Sequence, residues 1–295
     1  MSSRDAGPAT AAASAGRGSR ETSAHARYGI RVLDRACSLL AILSDGSPRN
    51  LVQLSTEADL NTTTTFRILA SLLAHSFVAR NQQSGEYSLG LACLELAHAF
   101  LGNGVRSLAL PHLLALREET RETVHLAVLD RMEVVYVEKL DALHAIGLMS
   151  SHVGGRKPAY CTGVGKALLA FQDPALVREH HGHSAMPRLT NTTITTVDAL
   201  MDELAEVKAR GYAFDRGENE PEVRCVAVPV FDAAGHPVAA ISVAGPATRM
   251  DPIAENEDVV GKATSAAERI SAALGFRPDV LRARADGSRY AVNTR

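Results

Sequence analysis

The run Asp59-Leu60-Asn61-Thr62-Thr63-Thr64-Thr65-Phe66-Arg67 decides the fold of the N-terminal third of the chain. Asp59-Leu60-Asn61 reads as a turn. Asn61 is a suitable cap for the helix that follows, because its side-chain oxygen can accept from a free N–H of the first turn. That helix, spanning 62–75, is expected to carry Phe66, Leu69, Leu72 and Leu73 on its apolar side. Upstream, Asn50 and Gln53 have capping-box spacing around a short helix containing Leu51, Leu54 and Ala58. Before it, Val32, Ala36, Leu39 and Leu43 recur at helical spacing until Ser44-Asp45-Gly46 stops the run. Downstream, two extended pieces, 77–80 and 87–89, flank the polar loop 81–86. Three helices followed by a β-hairpin within residues 28–90 is the order of a winged helix-turn-helix.

Composition bounds the rest. The chain has 295 residues, 46% apolar and 22% charged, which is ordinary globular usage. Lys+Arg 31 against Asp+Glu 33 leaves a net charge of −2, so no overall basic field points to nucleic acid, and the helix-hairpin order must carry that inference. No apolar run approaches the ~18 residues of a membrane span, so no membrane partner is expected. Cys37, Cys93, Cys161 and Cys225 lie far apart without CxxC spacing. This argues against a disulfide scaffold or zinc site and fits a reducing cytoplasm, with no metal and no cofactor expected. Residues 2–26 contain no Leu, Ile, Val or Phe, so 1–27 reads as a disordered tail without the apolar core of a secretory signal. Residues 279–295 read as a second flexible tail.

A helix at 91–101 runs into Gly102-Asn103-Gly104, so 91–104 reads as a linker and domain boundary. Beyond it come a helix through Leu108, Leu113 and Leu116, then β-rich runs at 124–129 and 134–137 around Asp130-Arg131-Met132-Glu133. Further expectations are a strand at 146–151, a loop at 154–158, and helices at 163–171 and 197–210. Strands at 224–231 and 238–244 flank Ala234-Gly235-His236-Pro237, and a helix at 253–274 closes the chain. Strands joined by short turns with interspersed helices make 105–278 an α+β domain on an antiparallel sheet.

Three places can carry chemistry. Thr62, Thr63, Thr64 and Thr65 open the helix capped by Asn61, with Arg67 one turn on. Hydroxyls and N-terminal amides suit phosphates, and threonine methyls can meet thymine methyls. Threonines after a cap are also common without any partner, although four β-branched residues weaken a helix slightly. Arg80 adds a cation beside the wing, and Asp34, Asp45, Glu57, Asp59 and Glu86 balance the arginines of this region. In the second place, Gly154-Gly155-Arg156-Lys157-Pro158 through Gly163-Val164-Gly165-Lys166, small residues precede a helix and let backbone amides approach an anion. The plainer reading is a tight turn with close helix packing. Third, the polar loop 215–222 feeds a strand with Cys225 at its start, near Ser242 on a neighbouring strand. A cysteine nucleophile needs an adjacent base, and none is identified, so Cys225 reads as buried and unreactive. His180, His181 and His183 sit in a polar, proline-flanked stretch that reads as a solvated loop.

Several of these segments, in order, resemble the IclR family of bacterial transcription regulators. They are Arg35-Ala36, 60–69, Tyr87-Ser88-Leu89-Gly90, Gly165-Lys166-Ala167-Leu168-Leu169-Ala170, Gly211-Tyr212, Glu218-Asn219-Glu220, Arg224-Cys225-Val226-Ala227 and Ala240-Ile241-Ser242-Val243. The resemblance runs from about residue 28 to residue 275. It implies a winged helix-turn-helix that binds a double-stranded DNA operator through Thr62, Thr63, Thr64, Arg67 and Arg80. A linker helix and a GAF-like effector domain would follow, assembled as a homodimer or dimer of dimers. Carried over by position, the effector site is Met149, Gly163, Val164, Asp215, Val223, Cys225 and Ser242, and the effector is a small organic acid or related metabolite. Lys157 stands where related sensors often have an apolar residue and would add a cation. Ala244 stands where some have a second serine, and Thr62 and Thr63 occupy positions often basic or serine. The function expected is therefore transcriptional regulation without catalysis. The alternative is a cysteine-dependent enzyme acting on a small acid through Cys161 or Cys225.

Overall fold

In the N-terminal unit, α1 (Arg31–Leu43), α2 (Leu51–Glu57) and α3 (Thr62–Ala74) precede a hairpin of β1 (Val78–Arg80) and β2 (Tyr87–Leu89). The computed structural model describes residues 30–102, 104–143, 149–254 and 257–277, so the expected tails at 1–27 and 279–295 fall outside the described residues. Both reciprocal hydrogen bonds of the Asn50–Gln53 capping box are made at α2. The Asn61 side chain accepts from the Thr64 N–H at 2.8 Å and so starts α3. Leu39, Leu43, Leu54, Ile68, Leu69, Val78 and Tyr87 form the core of this unit. The turn between α1 and α2 is pinned by Arg49, which pairs with Asp45 and Glu57 and bridges by its backbone to Tyr87.

One expectation about α3 is corrected. Phe66 and Leu73 remain exposed, and the buried positions are Thr65, Ile68 and Leu69. Thr65 tolerates burial because its hydroxyl donates to the Asn61 carbonyl at 3.1 Å, which leaves only its methyl group to pack. Val32 on α1 is likewise exposed.

The chain divides into compact units at residues 99 and 100, inside α4 (Leu91–Gly102). In the second unit, α5 (Val105–Thr120) leads to β3 (Thr123–Asp130) and β4 (Glu133–Leu140). The short β5 (Arg156–Pro158) and the turn Ala159–Cys161 then precede α6 (Gly163–Leu169), α7 (Pro174–His183) and α8 (Val197–Arg210). The chain continues through β6 (Ala213–Asp215), β7 (Val223–Phe231), β8 (Pro237–Pro246), α9 (Ala247–Ala254) and α10 (Glu257–Ala273). The sheet has six strands in the order β5-β4-β3-β8-β7-β6, with every neighbouring pair antiparallel.

Alternation along the strands gives this sheet two buried faces. Leu126, Val226, Val228, Ile241 and Val243 pack with Leu113, Leu116, Ala263 and Ile270 of α5 and α10. Between them in sequence, Ala127, Ala227 and Ala240 point to the opposite face, toward Val164, Ala167 and Leu168 of α6 and Leu200 and Leu204 of α8. Large residues support the long helices, while alanines let α6 come close.

Four boundaries differ from the sequence expectation. The strand expected at 146–151 is not formed at 149–151, and 144–148 lie outside the described residues. The edge strand is instead β5, in the segment expected to be a loop. It pairs with 133–135, and Arg156 bridges Asp130 and Glu133. Pro158 fits there because an edge position needs no donor. His180, His181 and His183 lie on α7 rather than in a loop, since Asp173 caps that helix and Pro174 opens it. His181 is buried, edge-on to Tyr160. The closing helical stretch begins earlier than expected, at Ala247, and is described as α9 and α10 on either side of residues 255–256, which lie outside the described residues.

The core of the N-terminal unit is small, so its margin is thin. Leu69→Ala should cost about 2–5 kcal/mol. Differential scanning calorimetry should show the transition of the N-terminal unit lowered or lost while that of the larger unit persists.

Candidate functional site

The first candidate surface is the start of α3. Thr62, Thr63 and Arg67 are exposed there and Thr64 partly so, whereas Thr65 faces inward. Arg67 and Arg35 line a common groove of about 620 Å³ between α1 and α3. Arg80 is held at the wing, its guanidinium 5.4 Å from the Tyr87 ring centre and its Nε donating to the Gly85 carbonyl at 3.4 Å. Arg49 is committed to its two carboxylates. The exposed threonines and the arginines at 35, 67 and 80 thus belong to one small domain with a capped helix presented outward.

The second candidate is a cavity in the sheet face under α6. Strand register builds it. His125 stands opposite Ser242, and Ser242 opposite Ala227. One row away, Thr123 stands opposite Ala244, Ala244 opposite Cys225, and Cys225 opposite Asp215. Period-two alternation turns His125, Ser242, Ala244, Cys225 and Asp215 to the same face. The N-terminal end of α6 closes over them at Gly163 and Val164, and Met149 and Val223 complete the walls. The cavity volume is about 30 Å³, room for roughly two waters.

Gly163 sits there by steric necessity. A Cβ at this position would stand 2.5 Å from the Cys225 Sγ. At Gly165 it would stand 2.2 Å from the Ala159 carbonyl oxygen. Thr162 caps α6 by accepting from the Gly165 N–H at 3.2 Å. The close packing and the cavity wall are one feature.

Behind the wall is a buried ion-pair network. The side chain of Lys166 has no exposed surface; its Nζ lies 2.7 Å from Glu218 and 3.1 Å from Glu203. Glu203 also accepts from Arg210 at 3.0 Å. This network holds the loop between β6 and β7, which is fastened again by Thr193 donating to the Glu218 carbonyl at 2.7 Å and Thr192 to that of Gly217 at 2.9 Å. Asp215 closes the loop, its Oδ1 accepting the N–H groups of Gly217 (3.0 Å) and Glu218 (2.8 Å).

Burial sets the protonation of the groups around the cavity. Desolvation, with Glu218 nearby, raises the Asp215 carboxyl from 3.8 to about 7 against the pull of Lys166 and the two N–H donors. Desolvation also raises Glu218, despite its bond to Lys166. His125 is held neutral, its pKa pushed down to about 3 by burial and by Lys139. Its ring nitrogens meet the Ser151 hydroxyl at 2.9 Å and the Ser242 hydroxyl at 3.3 Å, which suit either tautomer. Burial and nearby carboxylates raise the Cys161 thiol to about 12, and the Cys225 thiol is raised further by the same causes. Among the described residues no cluster of His, Cys, Asp and Glu is arranged to hold a metal ion.

The structure therefore brings Met149, Gly163, Val164, Asp215, Val223, Cys225 and Ser242 to one cavity. It does not bring Lys157 there. Lys157 lies on the edge strand β5, paired opposite Val134, because the segment expected to be a loop is drawn into the sheet. Sequence reasoning misses His125, Tyr136 and Ser151, and does not single out Thr162, Asn219 and Glu220 within the stretches it marks; all six also line the cavity. Alternation within β3 separates His125 from Val124 and Leu126, but its meeting with Ser242 needs the β3–β8 register, which local spacing does not contain.

Residues 98–272 match the family described as Bacterial transcriptional regulator IclR C-terminal, and residues 32–82 match the IclR helix-turn-helix domain. The chain belongs to the IclR family. It is 33% identical over 240 residues to the HTH-type transcriptional regulator KdgR of Escherichia coli (strain K12), covering 81% of this chain and 90% of KdgR. It is 32% identical to the HTH-type transcriptional repressor AllR of Klebsiella pneumoniae, covering 86% and 93%. The crystal structure of the Thermotoga maritima IclR superposes with a TM-score of 0.68 at 30% identity, covering 83% of this chain and 99% of that one. An IclR homologue from Microbacterium hydrocarbonoxydans, complexed with 4-hydroxybenzoate, gives 0.73 at 28% identity, covering 82% and 98%. This IclR-family protein is thus a DNA-binding transcriptional regulator, with an N-terminal helix-turn-helix domain and a C-terminal antiparallel-sheet domain.

Two expected outcomes follow from the cavity of this IclR regulator. Gly163→Ala should destabilise the fold by about 1–3 kcal/mol, and Cys225→Ala in the same chain should recover much of that loss in urea unfolding. Asp215 in the folded state keeps its proton up to about pH 7, whereas the unfolded chain releases it near the ordinary 3.8. Its contribution to stability is thus full below that lower value and is lost as pH rises through 7. Asp215→Asn should therefore flatten the fall in melting temperature between pH 5 and 8 and leave the variant the more stable protein at pH 8.

Proposed function

We propose that this regulator binds its operator in the cytoplasm as a homodimer or dimer of dimers, and that a small organic acid or related metabolite in the sheet cavity modulates that binding. The observation that carries the reading is the cavity itself. It is lined by buried polar groups on an apolar frame and lies within the region that matches the IclR C-terminal family. A relative complexed with 4-hydroxybenzoate supports an acid as the class of effector. No helix among the described residues is long and apolar enough to cross a membrane.

Residues 28–90 would hold the DNA, 91–104 act as linker, and 105–278 bind the effector and self-associate. On DNA, Thr62, Thr63 and Thr64 would meet bases or phosphates at the start of α3, with Arg67 and Arg80 on the backbone. The effector would bias the linked DNA-binding domains between two arrangements, so acid and operator would affect each other's affinity by the same factor. Catalysis by cysteine is disfavoured, because both buried thiols are held in the protonated form that is a poor nucleophile.

Gel-shift titrations on the native operator test the DNA half. Arg67→Ala should weaken binding and reduce the slope of affinity against salt by about one counterion. Thr63→Ala should shift sequence preference instead. Unchanged operator affinity in both variants would remove α3 from the interface. For the effector half, calorimetry with carboxylic acids should yield a ligand whose binding Ser242→Ala weakens roughly tenfold. Turnover of that ligand would favour the enzyme reading.

A further inference from the structure

We propose that a carboxylate effector enters the cavity together with one proton, which Asp215 takes up and then donates as a hydrogen bond to the effector's anionic oxygen. This deepens the effector reading above and rests on it.

The charge arrangement carries the inference. Among the described residues, no Lys or Arg lines the cavity, whereas Asp215 and Glu220 both do. Lys166 on α6, the cation whose charge acts on Asp215, is already bound to Glu218 and Glu203, and Arg210 supports the same Glu203. Two cations thus offset two carboxylates, and Asp215 is left with no counter-charge of its own. Its Oδ1 is filled by two backbone N–H groups, and among the described residues no hydrogen bond reaches its Oδ2. Asp215 is itself 6% exposed and lines the cavity.

The other titratable groups facing it cannot supply the missing charge. Cys225 on β7 and Cys161 before α6 are thiols held protonated, and Tyr136 on β4 has its phenol raised by burial. His125 on β3 is neutral, engaged by the Ser151 and Ser242 hydroxyls. Glu220 on the same loop accepts from Ser150 at 2.6 Å and from Asn219 at 3.3 Å, and adds a further carboxylate. An anionic ligand placed here would stand beside an ionised Asp215 with no cation among the lining residues to offset the two charges. A single proton on Oδ2 removes the repulsion and replaces it with an O–H donor. The group is poised for this, since burial already raises it to about 7, and a second anion raises it further.

The expected pH dependence has a definite sign. Below about pH 6 Asp215 is protonated before binding, so affinity for a carboxylate is flat. Above 7 each bound anion draws in a proton, and affinity falls up to tenfold per pH unit. The probes are acetate, glycolate and pyruvate, each beside its uncharged amide, measured by calorimetry on the full-length protein at pH 6 and pH 8. Each is measured in two buffers of different ionisation enthalpy, Tris and HEPES at pH 8. The proposal expects a carboxylate that binds about tenfold more weakly at pH 8, with uptake of close to one proton there. Asp215→Asn keeps the Oδ1 acceptor and presents a fixed N–H donor, so its affinity should be level from pH 6 to 8 and should exceed that of the wild type at pH 8.

A carboxylate that binds the wild type with no proton uptake at pH 8 overturns the proposal and leaves the effector reading standing. Amides that bind more tightly than acids, with affinity rising with pH, overturn it as well, because Asp215 would then act as an ionised acceptor. Failure of every acid and amide to bind overturns the effector reading and the proposal together. Should Asp215→Asn not fold, the two-buffer comparison on the wild type still decides.

Discussion

The contact on which the C-terminal domain depends is the approach of α6 to the sheet at Gly163. Without a side chain there, the helix meets the Cys225 sulfur directly, and Gly165 lets the preceding turn fold against the same helix. Every residue of α6 is buried as a result, including Lys166. An ammonium at that depth is tolerable only when paired and hydrogen-bonded, and Glu218 and Glu203 meet that demand. Their placement in turn fixes the loop that carries Asp215 and Glu220. A steric requirement at one glycine is thus transmitted, through a buried charge, into the chemistry of the cavity.

The sequence disclosed the parts unevenly. Helices α2 and α3 are legible because their caps are local, Asn50 with Gln53 and Asn61 with the start of α3, while α1 and the hairpin show in their apolar spacing and the polar loop 81–86. Phe66 was misplaced because the helical period alone leaves the phase open, and Thr65 takes the inward position by bonding its own turn. The edge strand β5 reads as a loop in the sequence because three residues rich in charge and proline carry no strand pattern. Its strand character comes from β4 and from two acidic partners of Arg156 that are distant in sequence.

Much the same holds for the site. Cys225 and Ser242 lie within the motif segments, Gly163, Val164 and Asp215 follow from them by position, and all five gather at one cavity. Lys157 was assigned by its position in the chain and does not reach that cavity. His125 was passed over, although it sits between two serines at the centre of the wall, because nothing within β3 announces which distant strand it will face. The stretch around Gly163 could be read as tight packing or as a ligand-facing turn, and it forms a cavity wall by packing tightly.

The two faces of the sheet have a consequence for how such a sensor can change. Along β8, Ile241 and Val243 hold the α5–α10 core, while Ser242 and Ala244 between them face the cavity. The residues that line the cavity are therefore interleaved with those that stabilise the domain, yet are separated from them by the thickness of the sheet. Substitutions at 242 or 244 can accumulate without disturbing the larger core, so the chemical vocabulary of the sensor is free to drift while its scaffold stays the same.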